Sequence, residues 1–247
     1  MRPIMDESGE MVLAQSIENL ESDVTACRRC PRLVEWRERV AREKRRAYRE
    51  EEYWARPVPG FGDGEARVLA VGLAPGAHGS NRTGRMFTGD ASGDFLFPAL
   101  YRAGFADRPT SIARDDGLAL RGFFLTAVCR CAPPDNKPTP EEIGNCIPFL
   151  REEFRLLEEI RLIVALGRIA YDAVVRLGLS PDPLQKPPPF SHGALWRVGE
   201  FRRTRSEPLW VLASYHPSRQ NTQTGRLTRV MFDRIWRNAS RIVREGK

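Results

Sequence analysis

Four short apolar runs set the frame of this chain: Arg67 to Leu73, Gly122 to Val128, Arg161 to Leu166 and Pro208 to Ser214. Each is continuous rather than alternating and is bounded by polar or turn residues, as expected of a strand covered on both faces. Helical patterning fills the intervals, over Phe95 to Ala103, Pro140 to Glu159, Arg168 to Leu177 and Leu227 to Arg244. Strands alternating with helices predict an α/β fold with a mainly parallel sheet and right-handed crossovers. Upstream, Ile17 to Arg49 reads as helix interrupted at Cys27-Arg28-Arg29-Cys30-Pro31, and Arg56 to Asp63 as an irregular connector. The alternating charges of Trp36 to Arg49 read as a solvated helical face. Pro181 to Pro189 reads as a surface excursion. Residues 1–16 are expected to be a flexible start, and residues 17–247 one domain.

Two loops follow directly on apolar runs and carry more chemistry than a turn requires. The first is Gly72-Leu73-Ala74-Pro75-Gly76 with its continuation to Phe87, and the second runs from His216 to Arg226. In open α/β sheets, ligands bind outside the carboxyl ends of the strands. These loops are therefore the candidate site.

The 247 residues suffice for one sizeable core, and 41% hydrophobic with 29% charged residues is ordinary globular composition. No apolar run approaches the length of a membrane span, and the first ten residues hold acids rather than an apolar signal segment. A cytoplasmic protein without membrane attachment is expected. The net charge of +7 is compatible with a polyanionic partner, and equally with a basic soluble enzyme.

Five cysteines in such a chain argue against a disulfide framework. Cys27 and Cys30 form a C-x2-C pair, Cys129 and Cys131 a C-x-C pair, and Cys146 stands apart. The wide second spacing suits structural zinc poorly, whereas four thiolates with a proline after Cys30 suit an iron–sulfur cluster. Spacing alone leaves Cys129 and Cys131 as alternatives for one ligand position.

Gly72-Leu73-Ala74-Pro75-Gly76, Gly84-Arg85-Met86-Phe87-Thr88-Gly89-Asp90, Cys131-Ala132-Pro133-Pro134-Asp135-Asn136-Lys137-Pro138 and His216-Pro217-Ser218-Arg219-Gln220-Asn221 together resemble the uracil-DNA glycosylase superfamily. The nearest match is its iron–sulfur, family-five (type B) branch. The resemblance implies a four-stranded parallel sheet sandwiched by helices, with the site across the sheet's carboxyl edge. It implies a structural [4Fe-4S] cluster on Cys27, Cys30, Cys131 and Cys146, pinning the helical arm to the loop that carries Asn136. The activity implied is hydrolysis of the N-glycosidic bond of uracil in DNA. No lysine is placed for a Schiff-base lyase step, so none is expected, and a monomer is the default expectation.

An enzyme acting on a base must extrude it into a pocket and hold it by stacking and edge hydrogen bonds. An aromatic after a turn is more often core, but within this loop Phe87 is read as the stacking face. The backbone around Leu73, Ala74 and Gly76 is read as serving polar base edges. The resemblance makes His216 a donor to the base oxygen, Asn136 a ligand of the attacking water, and Asp90 a further catalytic or orienting group. Asp90 also has the position of a helix cap. Sister branches place an acid or amide in the first loop, and here Leu73 to Gly76 offer none. Ala127 stands where a related branch has a uracil-reading asparagine, so a wider base range, including hypoxanthine, is expected. Arg219, Gln220 and Asn221 stand where related enzymes present a wedge to DNA, here without an apolar side chain, and the stretch from Asn221 and Thr222 to Arg226 is read as donating to phosphates. The rival readings are a non-catalytic iron–sulfur nucleic-acid binder and a nucleotide phosphohydrolase, the latter lacking any P-loop segment.

Overall fold

The computed structural model describes residues 16–177, 179, 186–198 and 208–245. The expected flexible start lies almost wholly outside these residues, as does much of the proline-rich excursion. The four apolar runs form strands β2 (Val68–Gly72), β3 (Phe123–Ala127), β4 (Leu162–Leu166) and β6 (Trp210–Ser214), all mutually parallel. Every residue of β2, β3 and β4 is buried, which explains the absence of alternation in their sequences.

The sheet is larger than the four strands expected. Phe61–Gly62 (β1) pairs antiparallel with β3 at one edge, and Leu195–Arg197 (β5) pairs antiparallel with β6 at the other. The order is β1-β3-β2-β4-β6-β5. Neither edge strand had a legible signature, since one is two residues long within a proline–glycine connector and the other three residues with exposed ends.

Alternate residues of each central strand enter opposite cores. Val68, Ala70, Phe123, Leu125, Val164 and Leu212 pack with Phe97, Phe232 and Trp236 on one side. Those last three side chains come from α4 (Ala91–Ala103) and α8 (Arg229–Glu245). Leu69, Val71, Phe124, Ile163 and Val211 pack on the other side with α5 (Pro140–Leu156) and α6 (Arg168–Val175).

The arm forms α1 (Ile17–Ala26) and α2 (Pro31–Glu43), broken at Cys27–Cys30 as expected. Leu20 and Val24 of α1 pack on Phe149 of α5. Buried Arg37 of α2 donates to the Cys131 sulfur at 2.9 Å, and Arg32 makes paired hydrogen bonds of 2.8 and 2.7 Å to Glu142. Arg32 also donates to the Lys137 carbonyl at 3.2 Å. Arginines thus tie the arm directly to the loop after β3.

Candidate active site

The chain leaves β2 through Gly72, whose hydrogen makes room for an aromatic ring. A Cβ built there would meet Phe87 Cζ at 2.7 Å. Phe87 itself has φ +53°, a left-handed conformation uncommon for a bulky residue, and its ring is 7% exposed. Such strain persists only where surroundings over-determine it. Here they do. Arg85, 3% exposed, donates to both carboxylate oxygens of Asp116 at 2.8 and 2.7 Å, to Thr88 Oγ1 at 3.0 Å and to Ser111 Oγ at 2.8 Å. Burial opposes ionisation of Asp116, but Arg85 and three backbone amides outweigh it and hold the carboxyl well below its usual range.

The Phe87 ring lies parallel to that of His216, with centroids 5.7 Å apart and planes 27° apart. His216 follows β6 and Phe87 closes the loop after β2, so these two predicted residues meet at the sheet's carboxyl edge. The His216 ring keeps some opening to solvent yet has no charged partner, and desolvation lowers its pKa to about 4. It is a neutral imidazole at working pH, able to donate one hydrogen bond. Asn221 Nδ2 donates to the His216 carbonyl at 2.9 Å, and Gly167 (φ +100°) comes close beneath its Cβ.

Asp90 is the N-cap of α4. Its Oδ1 accepts from the amides of Ser92 and Gly93 at 2.9 and 3.1 Å. Its Oδ2 lies over the first loop, where a Cβ at Gly76 or Gly79 would meet it at 2.8 or 2.2 Å. Burial raises the carboxyl pKa against those two backbone hydrogen bonds. One oxygen caps while the other faces the loop that lacks an acid of its own.

Leu73 and Ala74 are half-buried at the strand end, where the Leu73 carbonyl accepts from the Cys129 amide at 2.9 Å. Ala127 is buried at the end of β3, in register with Gly72. Asn136 is exposed, and both it and Asp135 are left-handed (φ +56° and +53°). Among the described residues no hydrogen bond engages the Asn136 carboxamide. The chain leaving that turn is fixed by Arg32, which donates to the Lys137 carbonyl, and by the Thr139–Glu142 capping box of α5.

Arg219 and Gln220 are exposed on α7 (Arg219–Gln223). Thr222 Oγ1 donates to the carbonyls of Ser218 and Arg219, and the Arg226 guanidinium lies 4.8 Å from the Tyr215 ring centroid. Asn221 is thus engaged in shaping the His216 turn. The sequence reading missed Arg85 and its partner Asp116, which lie 31 residues apart with no local pattern linking them.

The four predicted cluster ligands perturb one another: burial first, then the neighbouring thiols, raise the pKa of Cys27 and Cys30. Burial likewise pushes Cys131 up to about 12 against the pull of Arg37. No set of three metal-binding side chains is preassembled among the described residues. The donor chemistry nonetheless fits a thiolate-bound cluster. Arg37 donates to the Cys131 sulfur at 2.9 Å and Asn145 to that of Cys30 at 3.5 Å, contacts that would steady both sulfurs as thiolate ligands. The neighbouring Cys129 thiol is the leading cause of the lowered Cys146 pKa, about 7.

A crevice of about 840 Å³ lies elsewhere, among α1, α2 and Trp54 to Arg56. None of the predicted catalytic residues lines it, so chemistry rather than cavity size locates the site.

Residues 59–240 match the model of the uracil DNA glycosylase superfamily. The chain is 57% identical over 220 residues to the type-5 uracil-DNA glycosylase of Thermus thermophilus, covering 89% of this chain and 94% of the relative. It is 50% identical over 231 residues to that of Mycobacterium leprae, covering 93% and 96%. To that of Pyrobaculum aerophilum it is 46% identical over 215 residues, covering 87% and 88%. With its motifs converging at one sheet edge, the chain belongs to the uracil DNA glycosylase superfamily, alongside relatives of the type-5 branch.

Proposed function

We propose that the protein hydrolyses the N-glycosidic bond of uracil in DNA, leaving an abasic site without cutting the strand. The observation that carries this reading is the stacked Phe87–His216 pair at the sheet's carboxyl edge, with the half-buried Asp90 carboxylate facing the first loop. Abasic-site formation in a uracil-containing oligonucleotide, read by alkaline cleavage, tests it. The purely binding alternative is disfavoured, because it gives no reason for a strained aromatic, a desolvated histidine and a raised carboxyl to converge.

The residues divide the work as follows. An extruded base enters against Phe87, whose conformation Arg85 secures. Neutral His216 donates to the base oxygen on which negative charge grows as the bond breaks, without giving up its proton. The sugar becomes cationic in character, and water held by the Asn136 amide attacks it. An amide orients but is a weak base, so orientation and leaving-group stabilisation supply most of the rate. Asp90 Oδ2, in its desolvated setting, is placed to accept the water's proton or to steady the cationic sugar. Arg219, Gln220 and Arg226 supply backbone contacts to DNA phosphates.

Asp90→Asn separates the two roles of that residue, because asparagine caps helices about as well as aspartate. The variant is expected to melt near the parent temperature while excising uracil at least tenfold more slowly, measured in single turnover. A parent rate in Asp90→Asn would confine Asp90 to capping.

Cys27, Cys30, Cys131 and Cys146 would hold a [4Fe-4S] cluster whose contribution is structural, ordering the arm against the Asn136 loop. Hydrolysis itself requires no electron transfer. Purified protein is expected to contain iron, retained in Cys129→Ala and lost in Cys131→Ala. Iron analysis and the visible absorption band check this, and stoichiometric zinc would contradict it.

Ala127 places a methyl where a polar reader would impose a hydrogen-bond filter. Such filters discriminate more strongly than bulk does. Hypoxanthine is therefore expected to be released alongside uracil, and Ala127→Asn to narrow the range toward uracil. Rapid uracil release with undetectable hypoxanthine release would contradict this.

A further inference from the structure

His192 lies outside every motif discussed so far and outside the expected four-stranded sheet. It immediately precedes Gly193 (φ +86°), whose amide donates to the Ala213 carbonyl at 2.8 Å and opens the β5–β6 pairing. That register sets the imidazole beside the end of β6. The Tyr215 backbone N–H donates to His192 Nδ1 at 3.2 Å, and the two rings lie 5.1 Å apart. A backbone N–H can only donate, so Nδ1 carries a lone pair and the ring's hydrogen is on Nε2.

We propose that His192 is a positioning residue for His216: neutral, it clamps the Tyr215–His216 turn to the chain entering β5, and protonated it releases that turn. The inference rests on the reading of His216 as the donor to the departing base. Tyr215 is the residue directly before His216, and its amide anchors that turn alongside Asn221. Protonation at Nδ1 would turn the acceptor into a donor facing the Tyr215 donor, so the clamp must open.

The surroundings favour the neutral form. From α8 the charged group facing the ring is Arg234, and from β6 the neighbour is Tyr215 with Arg226 over its ring. Burial first, and Arg234 after it, lower the His192 pKa, opposed by Met231. The clamp therefore stays closed at neutral pH, and opens as pH falls.

The test compares His192→Ala, His192→Asn and His216→Ala in single-turnover excision of uracil from pH 5 to 8, with melting temperature and DNA affinity measured on each. Asparagine keeps an acceptor where Nδ1 stands and cannot take up a proton. His192→Ala is expected to slow excision tenfold to a hundredfold, on the order of the cost of a small misplacement of a reacting group, with DNA affinity kept. His192→Asn should excise near the parent rate at pH 7.5 and lose less rate than the parent toward pH 5. Nitrogen-15 spectra of the parent should show His192 protonated on Nε2 alone. A parent rate in His192→Ala, an unchanged acid limb in His192→Asn, or a proton on Nδ1 at neutral pH would each overturn the proposal. If His216→Ala itself excises at the parent rate, the reading beneath it fails instead.

Discussion

His216→Ala is expected to slow single-turnover uracil excision by about 10²- to 10³-fold, or about 2.7–4 kcal/mol, the effect of removing one preorganised oxyanion donor. Because no side chain in Leu73 to Gly76 activates water, the departing base carries most of the catalytic demand. The histidine meets it as a neutral donor. With a pKa of about 4 against 6.5 for a free histidine, it is uncharged throughout the working range. The pH–rate profile should therefore show no inflection from this residue near 6.5. Stability carries the complementary signature. Between pH 6.5 and about 4 the unfolded chain binds a proton at this position that the native state does not, so the parent loses stability as pH falls through that window. His216→Ala should lose less there, which chemical denaturation at pH 7 and pH 5 would reveal.

Arg85→Met is expected to destabilise the protein by about 3 kcal/mol, the lower end for breaking a buried pair. The low end applies because Asp116 keeps backbone bonds from Ile112, Ala113 and Leu118. At this chain length that corresponds to a melting temperature roughly 10 °C lower. The loss should extend to function, since Arg85 also holds Thr88 beside the strained Phe87. The Asp116 carboxyl is depressed in the native state, so its contribution is present above the unfolded carboxylate pKa and lost as pH falls below it. The gap between parent and Arg85→Met should consequently shrink in acid. An equal gap at pH 7 and pH 3, by urea denaturation, would contradict this account of Arg85.

The central strands were legible because burial on both faces leaves no alternation to misread: Val68 to Gly72 and Leu162 to Leu166 stand within the expected limits. Helix ends were set by chemistry that periodicity does not carry. Capped by Asp90, α4 starts at Ala91, four residues before Phe95, and Leu156 ends α5 three residues before Glu159. The edge strands escaped because their pairing is decided by tertiary contact, with Phe61 and Leu195 lying opposite Leu125 and Leu212. At the site, motif residues such as Phe87 and His216 were legible and do meet. The groups that fix them were not. Arg85 finds Asp116 across 31 residues and His192 finds Tyr215 across 23, distances over which local sequence carries no signal.

The central claim is that this site breaks a glycosidic bond rather than merely holding DNA. The most direct measurement is single-turnover incubation of the parent and His216→Ala with an end-labelled duplex holding one uracil, following free uracil and strand length before and after alkali. The account predicts stoichiometric uracil release by the parent, an intact strand until alkali cuts it at the uracil position, and release slowed at least a hundredfold in His216→Ala. DNA retention by the parent with no free uracil, or equal release by both proteins, would contradict it.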